Sequence, residues 1–167
     1  IIGFGDDSTI KHNIKATGTS EYVSILGKKP NPYPYISECD IYVQPSLYEG
    51  KSVAVREAQA LNKPVIITNY PTSSSQVNNG VDGIICSMDN ESIASAIYEL
   101  AMDKGKQELL TQNLACQNDQ PNSEIDKFYS LIWFPKSFII VGLDATNCQN
   151  QLLNALIVGG NSYLTMK

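Results

Sequence analysis

Glu49 and Glu57 are the residues most able to do chemistry in the stretch PSLYEGKSVAVREAQAL (residues 45–61), which otherwise reads as buried. Between them stand Gly50, Lys51, Ser52 and then an apolar run that begins at Val53. Paired carboxylates can share acid and base work on one glycosidic bond, or they can accept hydrogen bonds from hydroxyl groups. The first use needs two acids facing each other across that bond. Here one acid belongs to a loop and the other lies inside a helix. At ~100° and ~1.5 Å per residue they are offset and ~12 Å apart along a helix axis, so they suit different parts of one elongated ligand. Gly50 lets backbone approach that ligand closely. The N–H groups of Lys51 to Val53, at the start of a helix capped by Ser52, favour an anion between the acids. An anion flanked by two hydroxyl-rich ends describes a nucleotide sugar, with Glu57 accepting from ribose hydroxyls and Glu49 from the sugar.

Such residues need a scaffold that holds loops at one edge. Residues 23–26, 40–44 (DIYVQ), 65–68 (VIIT) and 84–86 read as short buried strands, each followed by Gly, Pro, Asn or Ser. Residues 8–16, 35–38, 52–62 and 90–103 read as helices between them. Regular alternation implies an α/β fold, a Rossmann-like parallel sheet with helices on both faces. Ligands of such folds bind beyond the carboxyl ends of the strands, which singles out the loops at 3–7, 27–35, 45–52 and 69–76. After residue 123 the signals weaken. SEIDKFYSLI reads as a closing amphipathic helix, KSFIIVGL as one more strand and CQNQLLNALIVGG as a helix-like stretch, giving a domain over 1–131 and a tail over 132–167.

Composition excludes several classes. The 167 residues, 43% of them apolar, suffice for one domain with a real core. Charged residues make up 17%, below the roughly 25% usual in soluble domains, which suggests that a second domain or a partner covers some surface. A net charge of −5 and scattered lysines provide no basic field for nucleic acid. Cys39, Cys86, Cys116 and Cys148 are widely spaced and His12 is the one histidine, so no metal site is expected and the cysteines read as small apolar residues of a reducing compartment. His12 itself reads as a surface residue. No apolar run reaches the ~18 residues a spanning helix needs. The opening Ile1-Ile2-Gly3 resembles the end of a strand, so a fragment of a longer protein is expected.

The two acids match the E-x7-E pattern of retaining glycosyltransferases, and further segments extend the resemblance. IIGFG, ILGKKPNPYPYI, DIYVQPSLYEGKSVAVREAQALNKPVIIT and NNGVDGIICSMDNESIASAI follow in the family's order over about residues 1–131. The chain resembles the C-terminal, donor-binding half of glycosyltransferase family 4 (group 1), enzymes of the GT-B fold.

That resemblance implies transfer of a sugar from a uridine-diphosphate donor to a cell-surface polysaccharide or glycolipid, with retention at the anomeric carbon and without metal or cofactor. It implies that Glu49 binds the transferred sugar and Glu57 the ribose, and that backbone amides of Gly50, Lys51, Ser52 and Val53 meet the sugar and diphosphate. Gly3 and Gly5 would let the first loop approach the donor, and Gly27, Lys28 and Lys29 would line the base pocket. Gly3-x-Gly5 alone carries little, since the third glycine of the dinucleotide fingerprint is absent.

Three departures stand out. The family's diphosphate-clamping Arg and Lys fall upstream of residue 1, and its acceptor domain has no counterpart here, so a missing N-terminal domain or partner subunit is expected. Lys51 replaces a usual apolar or aromatic residue. NYPTSSSQV replaces a Gly-Gly-x-x-Glu loop, placing Gln76 where an acid is frequent and reading either as hydroxyls that face donor or acceptor or as a solvated Ser/Thr turn. NPYPY reads as a prolyl turn opening a helix. The expected location is the cytoplasm, with association at the inner face of the membrane left open because no basic amphipathic surface supports it. A donor-binding subunit without catalysis of its own, and an α/β domain with no nucleotide site, are the rival readings.

Overall fold

The computed structural model describes residues 1–3 and 5–118. Three parallel strands, β1 (Tyr42–Gln44), β2 (Val65–Thr68) and β3 (Gly83–Cys86), form a sheet in the order β1-β2-β3. Tyr42 pairs with Val65, and Val65 in turn with Gly83. Among the described residues five α-helices surround the sheet: α1 (Ser8–Ala16), α2 (Tyr33–Glu38), α3 (Val53–Ala60), α4 (Asn90–Met102) and α5 (Lys104–Asn118).

Alternation along the strands sorts the core into two layers. Ile41, Val43 and Ile66 pack with Ile10 and Ile14 of α1, Ile93, Ile97 and Leu100 of α4, and Leu110 of α5. Tyr42, Val65 and Ile67 point the other way and pack with Ile36 of α2 and Val55 and Ala58 of α3. Each of the Ile, Val and Leu side chains among them contributes roughly 1.5–3 kcal/mol on leaving water. The expected Rossmann-like α/β fold, helices on both faces of a parallel sheet, is therefore present.

Three local outcomes differ from the sequence reading. Residues 23–26 do not form a strand. Leu26 N–H donates to Ile1 O at 2.8 Å and Gly3 N–H to Gly27 O at 3.2 Å, leaving one parallel bridge between Ile2 and Gly27. The partner stretch is short on this side, because the chain turns away into the loop before α1. Secondly, α2 begins at Tyr33 rather than at 35, since Pro32 already has helical backbone angles and a further proline occupies the second helical position, where no N–H is needed. Thirdly, α5 was not anticipated. The expected closing helix, the later strand and helix, Cys148 and the 1–131/132–167 division fall wholly or partly outside the described residues.

Amide side chains fasten α5 in place. Gln107 Nε2 donates to Leu100 O and Ala101 O in the last turn of α4, at 2.6 and 3.2 Å. Asn118 Nδ2 donates to Gln59 O, Ala60 O and Asn62 Oδ1 at the end of α3, at 3.0, 3.4 and 2.7 Å. Carbonyls of both helix ends thus gain donors from one later helix. At the sheet edge, Gly83 is fixed by close approach: a Cβ there would lie 2.5 Å from Val65 Cγ2 and 2.9 Å from Val65 O.

Candidate functional site

β1 ends at Gln44, whose side chain is 1% exposed and organises the loop that follows. Tyr42, two residues back on the same strand face, donates its hydroxyl to Gln44 Oε1 at 2.9 Å. Ser52 Oγ donates to that same oxygen at 3.1 Å. Gln44 Nε2 lies 2.9 Å from Glu49 Oε1, 2.9 Å from Ser52 Oγ and 3.3 Å from Ser46 Oγ. Ser46 Oγ donates to Glu49 Oε1 at 2.8 Å. One oxygen of Glu49 therefore faces a buried polar cluster and accepts twice. Its other oxygen takes no hydrogen bond among the described residues, and the residue is half-buried.

Ser52 is the N-cap of α3, as expected, and its side chain accepts from Val55 N–H. The backbone N–H of Ser52 is not open to a ligand, however. Gln76 Oε1 accepts it at 2.7 Å, so the expected row of amides over Lys51 to Val53 is interrupted in the middle. Val53, the first helical residue, keeps an N–H with no intrahelical partner and is exposed. Lys51 is exposed as well.

Glu57 is half-buried inside α3 and accepts from the phenol of Tyr33, the first residue of α2, at 2.8 Å. Burial, the hydrogen bond to Glu57 and that residue's charge all push the Tyr33 phenol above its ordinary pKa. The NPYPY run opens a helix as expected, and it also delivers a hydroxyl to the second acid. Lys29 lies over the Tyr35 ring at 5.5 Å from its centroid, while Lys28 is exposed. The structure joins Gly3 to Gly27 through a backbone hydrogen bond, and Gly27 (φ +65°) and Gly5 (φ +148°) occupy backbone conformations that favour glycine. Glu49 and Ser52 are brought together through Gln44, whereas Glu57 has a separate partner on a separate helix.

The loop after β2 is part brace and part solvated turn: Ser74 and Ser75 are exposed, whereas Ser73 and Gln76 are buried. Ser73 and Gln76 are 6% and 7% exposed. Thr68 Oγ1 donates to Ser46 O, Thr72 Oγ1 to Glu49 O at 2.7 Å and Gln76 Nε2 to Gly50 O at 3.2 Å. Sequence reasoning gave no role to Gln44, Ser46, Thr72 or Tyr33. A buried Gln ending an apolar strand is the signal that could have flagged the first of these, because a carboxamide there needs polar partners.

Cys39 and Cys86 fit the apolar reading, whereas Cys116 is exposed. Burial pushes the Cys39 thiol up to about 12 and that of Cys86 up to about 11, which leaves both as poor nucleophiles. His12 is exposed.

Residues 1–115 match the family model described as glycosyl transferases group 1. The chain belongs to this family. Among relatives of this group 1 chain is the Escherichia coli UDP-Gal:alpha-D-GlcNAc-diphosphoundecaprenol alpha-1,3-galactosyltransferase, 28% identical over 107 residues that cover 62% of this chain and 28% of the relative. Another is the Campylobacter jejuni N,N'-diacetylbacillosaminyl-diphospho-undecaprenol alpha-1,3-N-acetylgalactosaminyltransferase, 30% identical over 94 residues, 56% of this chain and 25% of the relative. The chain thus spans little more than a quarter of the curated relatives it matches. Similar solved structures include Anabaena HepE in complex with UDP, with a TM-score of 0.65 at 20% identity over 78% of this chain and 40% of that one. Sucrose-phosphate synthase from Thermosynechococcus elongatus gives 0.63 at 21% identity over 78% of this chain and 37% of that one. At these identities the likeness establishes a shared fold, the Rossmann-like half of GT-B glycosyltransferases.

Among the described residues no helix of this group 1 chain is long and apolar enough to cross a membrane. Its acids and helix start lie where parallel α/β folds bind ligands, beyond the carboxyl end of β1.

Proposed function

We propose that this chain is the donor-binding part of a retaining glycosyltransferase, which moves a sugar from a uridine-diphosphate donor to a lipid-linked or polysaccharide acceptor of the cell surface. The observation that carries the reading is the succession of Glu49, the Ser52-capped start of α3 and Glu57 along the ledge where β1 ends. Glu57 binds the ribose hydroxyls, with Tyr33 holding its other side. Glu49 offers its outward oxygen to the transferred sugar. The helix start and loop amides take the diphosphate, stabilising the leaving group's charge without a metal. Gly27, Lys28 and Lys29, beside Gly3 and Gly5, flank the base.

A lipid-linked acceptor is supported by the two bacterial relatives, each of which is named for a diphospho-undecaprenol substrate. With such acceptors the reading puts the work in the cytoplasm, at the inner face of a membrane. Acceptor recognition falls to an N-terminal domain or partner subunit, in keeping with the 40% or less of each neighbour that this chain spans. A second reading is a donor-binding subunit that turns over only with a partner chain. Turnover on adding an acceptor-domain protein, and none without it, separates the two.

Calorimetric titration of the chain with UDP, repeated on Glu57→Ala, tests the shared core of both readings. Binding in the micromolar to millimolar range, weakened about tenfold or more by the substitution, is expected when a charge-assisted contact is lost. Equal binding by the two proteins removes Glu57 from the site.

A further inference from the structure

Two consecutive peptide units after β1 are held from one side. Thr72 Oγ1 donates to Glu49 O at 2.7 Å, and Gln76 Nε2 donates to Gly50 O at 3.2 Å. Every described peptide is trans, and in a trans peptide the C=O and the following N–H point in opposite directions. Pinning both carbonyls onto the loop after β2 therefore turns the N–H groups of Gly50 and Lys51 away from it. Neither meets an acceptor among the described residues, and both residues are exposed. The next amide is reversed, since Ser52 N–H donates inward to Gln76 Oε1 at 2.7 Å.

One carboxamide thus sets the direction of successive peptide units. Chemistry fixes its orientation, because Ser52 N–H can only donate and Gly50 O can only accept. Gln76 is itself immobilised: it is 7% exposed, its Nε2 reaches Tyr70 Oη at 3.2 Å, and Gln59 Nε2 of α3 donates to its backbone O at 2.9 Å. A carboxylate in its place could accept from Ser52 but could not donate to Gly50, and alanine could do neither.

We infer that Gln76, assisted by Thr72, is a positioning residue that selects the Gly50 and Lys51 amides to face the anionic part of the donor and withdraws the Ser52 amide from it. The inference rests on the donor-site reading and assigns a role within it to residues that touch no ligand themselves. Two adjacent N–H groups aimed alike make a small concave anion site of the kind formed by successive backbone amides.

The test compares UDP with uridine by chemical-shift titration of the full chain, its Gln76→Ala and Gln76→Glu variants, and Glu57→Ala. UDP affinity is expected to fall about tenfold in each Gln76 variant, one misdirected charge-facing amide being comparable to one lost hydrogen bond. Uridine affinity is expected to stay unchanged, because the diphosphate alone uses these amides. Parallel weakening of UDP and uridine, or no weakening of either, overturns the inference. Binding of UDP that Glu57→Ala weakens and the Gln76 variants do not overturns this inference alone. Absence of UDP binding by the unaltered chain overturns the donor-site reading and this one with it. Should Gln76→Ala fail to fold, Thr72→Val carries the test, since it removes only the bond to Glu49 O and is expected to show the same selective loss, reduced to a few-fold.

Discussion

Glu49 rests one oxygen on Gln44 and Ser46, side chains that are themselves buried and bonded, whereas Glu57 receives a single bond from a half-buried phenol on a separate helix. The first acid belongs to the polar accounting of the core. Its partners have no water to turn to, so the cluster is either complete or costly. The second acid sits at a junction between α2 and α3 that water reaches, and its partner can be lost without stranding a buried group. A rigid acceptor for one end of a ligand and an adjustable one for the other follow from this difference.

The sharpest way to break the comparison is Gln44→Leu. It removes the bonds that Gln44 makes with Tyr42 Oη, Ser52 Oγ and Glu49 Oε1 inside the core, and is expected to destabilise the fold by roughly 2–4 kcal/mol in urea unfolding. A loss no larger than that of a surface substitution would show the cluster to be dispensable. A second test uses alkali. Burial, then the nearby charge of Glu49, pushes the Tyr70 phenol from its ordinary 10.0 up to about 12. A raised pKa on an acid means that the fold favours the neutral phenol, so its contribution is complete below pH 10.0 and is lost as pH rises through about 12. Urea midpoints measured across that window are expected to fall less steeply in Tyr70→Phe than in the unaltered protein, and matching slopes would remove Tyr70 from the account. The smallest effect belongs to Tyr33→Phe, where less than about 1 kcal/mol of stability is at stake because the pair is partly solvated. UDP affinity is expected to change a few-fold as Glu57 loses its fixed orientation. A stability loss matching that of Gln44→Leu would erase the contrast between the two acids.

The sequence legibly contained those elements that local pattern determines. The apolar run VIIT coincides with β2, the helix at Ser8–Ala16 has its expected bounds, and Ser52 caps α3 where a serine before an apolar run should. α5 escaped because its buried apolar residues are Leu110 and Leu114 alone, Leu109 being exposed and breaking the pattern, while its attachments are Gln107 and Asn118 reaching carbonyls of other helices. Hydrogen bonds between elements leave no periodicity to read. The same reason explains the site. Glu49 and Glu57 stood out by type and spacing, but the brace formed by Thr72 and Gln76 depends on two loops meeting, each bond spanning more than twenty positions along the chain. A serine-rich segment read by composition alone gives a solvated turn, which Ser74 and Ser75 supply, while tertiary contact buries Ser73 and Gln76 beside them.

The fastening of α5 has a consequence for the site at the opposite end of α3. Gln107 and Asn118 tie down helix ends with neutral carboxamides, and Gln44, Gln59 and Gln76 do the same around the loop after β1. Mobile ions screen charges and leave such bonds almost untouched. The shape of the ledge is therefore insulated from ionic strength, and salt dependence of ligand binding reports the charges of the ligand and of the Glu49, Glu57 and Lys51 side chains that meet it, not a loosening of the frame.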